Sequence, residues 1–246
     1  MSTDTNEKKQ IAELILGIKN DTKRKSTLQL ALEIARFHIG MAVSDKVPNN
    51  EDRKNKTFPN YNDFLFRHHY VERIQENASI DSCSDEAELF TALFLYLNVL
   101  EQIGTLFCKD EKNGIEKAIE TFSSQELPAQ DIKEIKNLRN SLAHNFGLIN
   151  LKNQSPTIKY TISIDYHETN SSNNAVSNCI IQLPKNEWSK DWSDKSDETS
   201  CTIYAFPLMR LCEDIIKEVV ERYKEDKLTF AIEELEEIKA RYTILI

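Results

Sequence analysis

The sequence predicts a mostly α fold, a helical bundle with a small antiparallel β-hairpin inserted after one of its later helices. Three observations carry this. The chain has only 5 Gly and 6 Pro in 246 residues, too few for a turn-rich all-β fold. Apolar residues recur at three- and four-residue steps over most of its length. The period then drops to two in one stretch between about 157 and 204. Apolar residues make up 40% of the chain, enough for a sizeable core, and a single domain over 11–246 is expected after a disordered tail at 1–10.

The elements follow in order. Ile11, Leu14, Ile15 and Ile18, then Leu28, Leu32, Ala35 and Ile39, fall on helical spacing up to about Val43, with a break at Asn20-Asp21-Thr22. Asp45 to Asn62 is polar, holds Pro48 and Pro59, and reads as a loop. Tyr61 to Glu76 reads as a helix with Phe64, Phe66 and Tyr70. Ser84-Asp85-Glu86 supplies an N-cap and first-turn acids for the most apolar helix, which runs to about Cys108. Its apolar run Leu89 to Leu97 is followed at once by Asn98, Glu101 and Gln102, so a buried core helix is expected rather than a membrane span. Ile115 to Phe122 is a shorter amphipathic piece.

Pro128 suits the first turn of the next helix. Ile132, Ile135, Leu138, Leu142 and Phe146 form its apolar stripe, and Gly147 is placed to cap its C-terminus. Ile158, Tyr160, Ile162, Ile164 and Tyr166 then alternate with polar residues, and Cys179, Ile181 and Leu183 do likewise. Two such runs joined by a polar loop predict a hairpin. Cys201 to Tyr204 reads as a third short strand, and 207–224 and 227–246 as closing helices.

A net charge of −9 excludes a generic basic nucleic-acid binder, because phosphate neutralisation needs clustered Lys and Arg. It leaves room for an enzyme that holds a short RNA segment in a locally positive cleft. Cys83, Cys108, Cys179, Cys201 and Cys212 form no C-x-x-C pair, which reads as reduced thiols in a cytoplasmic protein. Met1 to Gln10 lacks the apolar run of a signal peptide. Nucleotide-binding glycine motifs and the H-E-x-x-H zinc motif do not occur, and neither a metal nor a cofactor is expected.

The stretch that carries chemistry is Leu138-Arg139-Asn140-Ser141-Leu142-Ala143-His144-Asn145-Phe146-Gly147. It places an obligatory cation and the side chain that titrates near neutral pH on one predicted helix. Five helical steps leave Arg139 and His144 about 140° apart, so a single copy makes a poor two-residue site. Two copies about a two-fold axis would bring four such groups round one cleft. The last turn of a helix favours a protonated imidazole at 144, and a nearby Arg139 opposes it.

This stretch resembles the HEPN superfamily, whose ribonuclease members carry an R-x4-6-H motif on a late helix of an α-helical bundle. Arg139 and His144 match the motif ends, and Asn140 matches the polar residue usual after the arginine. The likeness covers about fifteen residues. It implies a metal-independent endoribonuclease, active as a homodimer, of the kind found in toxin–antitoxin, antiviral defence and RNA-processing systems, with an antitoxin or neighbouring defence protein as a further partner. Some such toxins have Tyr two places after the histidine, which a partner enzyme modifies. Phe146 stands there in this chain and has no hydroxyl to modify. The candidate site is therefore Arg139, His144 and Asn140, with Asn145, Glu101 and Asn98 as weaker substrate contacts. A helical module that binds RNA, nucleotide or a protein without cutting is the alternative.

Other groups have plainer readings beside the functional ones. Asn98, Glu101 and Thr105 share one stripe of the apolar helix, lining a cleft or simply meeting solvent. Arg67-His68-His69 is a poor metal pair, because adjacent residues point to different helix faces. Lys23-Arg24-Lys25 reads as an RNA-backbone contact or a solvated junction. Trp188 and Trp192, among Lys185, Lys190 and Lys195, either stack on bases or anchor their loop. Glu233 to Glu237 reads as a solvated helix face.

Overall fold

The computed structural model describes residues 3–19, 24–38, 82–108, 113–145, 147–150, 158–163 and 179–245. The loop expected at 45–62, the helix expected at 61–76 and Arg67-His68-His69 lie outside these residues. The chain forms two compact units, one of residues 1–122 and 215–246 and one of residues 123–214. The span 11–246 read from the sequence covers both.

The first unit is helical. It holds α1 (Thr3–Ile15), α2 (Thr27–His38), α3 (Ser82–Phe107) and α4 (Gly114–Phe122). α1 begins at Thr3, inside the segment expected to be a tail. The chain turns after α1 at Gly17, whose φ of 69° lies in the left-handed region that glycine enters without penalty. A short strand, β1 (Arg24–Ser26), precedes α2 and pairs antiparallel with a strand at the far end of the chain, Thr243–Leu245. Ser26 Oγ caps α2 by accepting from the Gln29 N–H at 3.1 Å.

α3 is the axis of this unit. Ala92, Leu93, Tyr96, Leu97, Leu100 and Leu106 are fully buried, as expected for a helix apolar on most of its circumference. Its segment Leu89–Phe107 is also long and apolar enough to cross a membrane by length and composition, Asn98 and Glu101 notwithstanding. α3 and α4 approach to backbone contact. A Cβ on Gly104 would sit 1.8 Å from the Gly114 carbonyl oxygen, so only glycine fits this crossing.

The second unit carries α5 (Ala129–Asn145) and a four-stranded sheet. Its strands are β2 (Ile149–Asn150), β3 (Ile158–Ser163), β4 (Ile181–Gln182) and β5 (Ser200–Tyr204), in spatial order β2-β3-β5-β4. Among the described residues β3 and β4 do not pair as the expected hairpin. β3 pairs with β5 in parallel, Tyr160 opposite Cys201 and Ile162 opposite Ile203, and β4 pairs antiparallel with the other edge of β5. Alternation sets which face a strand buries but not which strand it joins.

α6 (Ala205–Lys224) follows β5 directly, with Pro207 in its first turn, and its residues are divided between the two units. It ends on Asp226, whose φ is 55°, with the Lys227 N–H donating to Arg222 O at 2.8 Å. This is the closure usual for a glycine, here made by an aspartate. The last helix, α7, spans only Leu235–Tyr242, and β6 (Thr243–Leu245) follows it. Residues 227–234, expected to be helical, instead bring the Ala231 N–H to Leu106 O at 2.7 Å in the first unit. Phe230 stacks on Phe107, and Tyr242 O–H donates to Gln102 Oε1 at 2.8 Å.

Candidate functional site

α5 opens after Pro128, whose carbonyl accepts from the Ile132 N–H at 3.2 Å, and Asp131 lies in its first turn. Two rows of residues run along it. Ile132, Ile135 and Leu142 are buried and fall in line with Arg139. Gln130, Glu134, Asn137 and Ser141 form the other row at steps of four, three and four, and position 144 continues it. The helix ends at Asn145, and the Gly147 N–H reaches Ser141 O at 3.5 Å.

Arg139 is half-buried and its Nη1 donates to Asn140 Oδ1 at 3.2 Å. The two neighbours thus act as one unit, a guanidinium steadied by an adjacent amide. His144 and Asn145 occupy the last turn of α5, and their side chains, like Phe146, lie outside the described residues.

The second row holds the most specific polar chemistry of this unit. Glu134 is 1% exposed. Its Oε2 accepts from Tyr160 O–H at 2.8 Å and from Asn137 Nδ2 at 3.3 Å, and its Oε1 accepts from Gln130 Nε2. All three donors are neutral. Burial raises the Tyr160 phenol far above its ordinary value, and the Glu134 charge adds to the effect. Burial pushes the Cys201 thiol up to about 12, with Glu134 and Asp131 reinforcing it. Cys179 is raised by burial and by Asp131. These thiols stay protonated near neutral pH and are poor nucleophiles. Cys108, Cys179, Cys201 and Cys212 are not disulfide-bonded.

Glu134 and Tyr160 were not singled out from the sequence. The signal was present as the polar row at 130, 134, 137 and 141 within an otherwise amphipathic helix.

Asn98 and Glu101 belong to the first unit, whereas Arg139 and Asn140 belong to the second. Asn98 Nδ2 donates to Phe94 O at 2.7 Å and Thr105 Oγ1 to Glu101 O at 2.9 Å. Asn98 and Thr105 are thus each bonded to the backbone of their own helix one turn earlier. Arg24 and Lys25 lie in β1. Glu236 and Glu237 lie in the first turn of α7 and pair with Lys239 and Arg241, as a solvated face does. Trp188 is buried and anchors its loop, while Trp192 is exposed. Among the described residues no group of three or more His, Cys, Asp or Glu side chains is placed to hold a metal ion. No protein-family model, curated protein or solved structure matches this chain.

Proposed function

We propose that this chain is a metal-independent endoribonuclease of the HEPN type, working as a cytoplasmic homodimer and serving as a toxin or phage-defence effector. The observation that carries this reading is the Arg139–Asn140 contact at the end of α5, with position 144 in the same last turns. A guanidinium oriented by a neighbouring amide is a planar fork, a shape that suits the non-bridging oxygens of a phosphodiester.

In this mechanism the ribose 2′-oxygen attacks phosphorus and the P–O5′ bond breaks. His144 of one protomer takes the 2′-hydroxyl proton, and its counterpart in the second copy gives a proton to the leaving 5′-oxygen. Arg139 stabilises the charge that builds on the phosphoryl oxygens, and Asn140 orients Arg139 or the phosphate. The products carry 2′,3′-cyclic phosphate and 5′-hydroxyl ends. Water and metal take no part in the bond changes.

The test is incubation with mixed RNA in EDTA, alongside Arg139→Ala and His144→Ala. Cleavage persists in EDTA and falls by about 10²–10⁴ in His144→Ala, with a comparable loss in Arg139→Ala. Equal cutting by all three proteins assigns the activity to a contaminant. A folded protein that binds RNA and never cuts it makes the chain a binding module instead.

A further inference from the structure

Residues 185–198 of the second unit form a closed surface loop. Its ends meet where the Lys185 and Asn186 N–H groups both donate to Glu198 O, at 2.8 and 3.0 Å. Such loops hold shape by packing their own side chains, and this one does so thoroughly. Trp188 fills its interior at 8% exposure and donates from Nε1 to Asp191 O at 3.0 Å. Lys159 reaches in from β3 and donates to the carbonyls of Asp194 (2.8 Å) and Ser196 (3.3 Å), with its ammonium 5.9 Å from the Trp188 ring centre. Asp191 Oδ1 accepts from the N–H and hydroxyl of Ser193, and Asp194 Oδ1 from the Ser196 N–H. Lys190 takes a φ of 66°, a conformation disfavoured for a side chain of its kind.

The loop uses this framework to display one aromatic ring. Trp192 meets Trp188 edge to face at 5.3 Å, yet it remains 69% exposed, the most exposed large hydrophobic side chain among the described residues. That edge contact leaves most of the Trp192 ring in solvent. Exposed, buttressed tryptophans are typical anchors of interfaces.

Charge decides what the anchor suits. Segment 184–199 carries Glu187, Asp191, Asp194, Asp197 and Glu198 against Lys185, Lys190 and Lys195. Lys185 lies 3.6 Å from Glu198, and Lys159 lies 3.9 Å from Asp194. Among the described residues no cation pairs with Glu187, Asp191 or Asp197. Hydrogen bonds from Ser193 hold the Asp191 carboxyl below its ordinary range, so its charge persists. Five carboxylates against three lysines leave the segment that displays this indole net acidic, which disfavours phosphate chains and favours guanidinium, a group that stacks on tryptophan. We propose that this loop docks a protein partner through an arginine side chain that stacks on Trp192 among these carboxylates. This inference is independent of the ribonuclease reading.

The experiment follows indole fluorescence of the full chain at low ionic strength. It is titrated with acetyl-Gly-Arg-Gly-Arg-Gly-amide, with the same peptide carrying citrulline for arginine, and with dodecauridylate. The arginine peptide gives a saturable change that salt suppresses, and citrulline weakens it. Trp192→Leu, followed by a dye on the peptide, weakens binding roughly two- to fivefold, whereas Trp192→Phe retains it. Trp188 emission reports that the loop is intact in each variant. A response to dodecauridylate in place of the peptide overturns the proposal in favour of base stacking. Equal binding of the two peptides, or no response to either, overturns it as well.

Discussion

The two units bury their contents by different means. In the first, the buried face of α3 is mostly hydrocarbon, and its polar side chains Asn98 and Thr105 bond to their own helix. In the second, α5 buries a carboxylate whose partners among the described residues are neutral donors from α5 and β3. Hydrocarbon packing is non-directional and tolerates volume-conserving exchange. A buried polar set tolerates little, since each lost donor leaves an unpaired atom. The helix with the demanding interior is also the one that carries Arg139 and His144. In this comparison, the second unit spends stability on holding one helix in a defined place.

The first unit has one point as unforgiving as anything in the second, and it provides the largest expected effect. At the α3/α4 crossing, any side chain at Gly104 collides with the Gly114 backbone, with a Cβ 1.8 Å from its carbonyl oxygen. No rotamer relieves a backbone clash. Gly104→Val should cost about 3 kcal/mol or more in urea denaturation, while Leu100→Met on the same helix should cost less than about 1.5. Equal, small losses in both would mean that α3 and α4 do not cross this closely.

The second expected effect probes the polar set. Tyr160→Phe removes one of three donors to Glu134 and should cost about 2 kcal/mol at neutral pH. The effect depends on pH with a definite sign. The phenol is raised above its ordinary value of 10 in the folded protein, so above that pH the unfolded chain releases the proton while the folded one keeps it. The contribution of Tyr160 is therefore complete below pH 10 and declines as pH rises past it. The gap between wild type and Tyr160→Phe should narrow in denaturation curves taken above pH 10. A gap that stays constant would show that Tyr160 contributes by packing alone.

These contrasts also mark what the sequence makes legible. α3, α4 and α5 are readable because Leu93, Leu97 and Leu100, Ile115 and Ile119, and Ile132 and Ile135 repeat at helical spacing under strong burial. β3 is readable from its alternation, but its parallel neighbour is not, since the pattern is the same for any partner. The strands β1 and β6 are three residues each, and their pairing joins the two ends of the chain, beyond the reach of any local signal. Residues 227–234 mimic a helix in composition, whereas Asp226 ends α6 with a left-handed turn usually signalled by glycine. Within the candidate site, the residue types of Arg139, Asn140 and His144 are plain in the chain. The polar row beside them is not legible, because Glu134 and Asn137 read as solvent-facing until a tyrosine from a distant strand is known to meet Glu134.

The smallest expected effect concerns Asp131, one turn before Glu134. Its carboxyl is raised above its ordinary value of 3.8 by burial first and by the Glu134 charge second. Asp131 sits in the first turn of α5, where the helix dipole favours an anion. The upward shift shows that desolvation and the neighbouring carboxylate outweigh the dipole here. A group that binds its proton more tightly when folded destabilises the fold once ionised. Stability from this site is highest below about pH 3.8 and falls as pH rises through the raised value. Asp131→Asn should therefore stabilise the protein at pH 7, by about half a kcal/mol or less given the partial exposure of the group. The gain should vanish in acid, where both proteins carry a neutral side chain at 131. A loss of stability at pH 7 would place the balance with the dipole and show that the Glu134 charge is better screened than its burial implies.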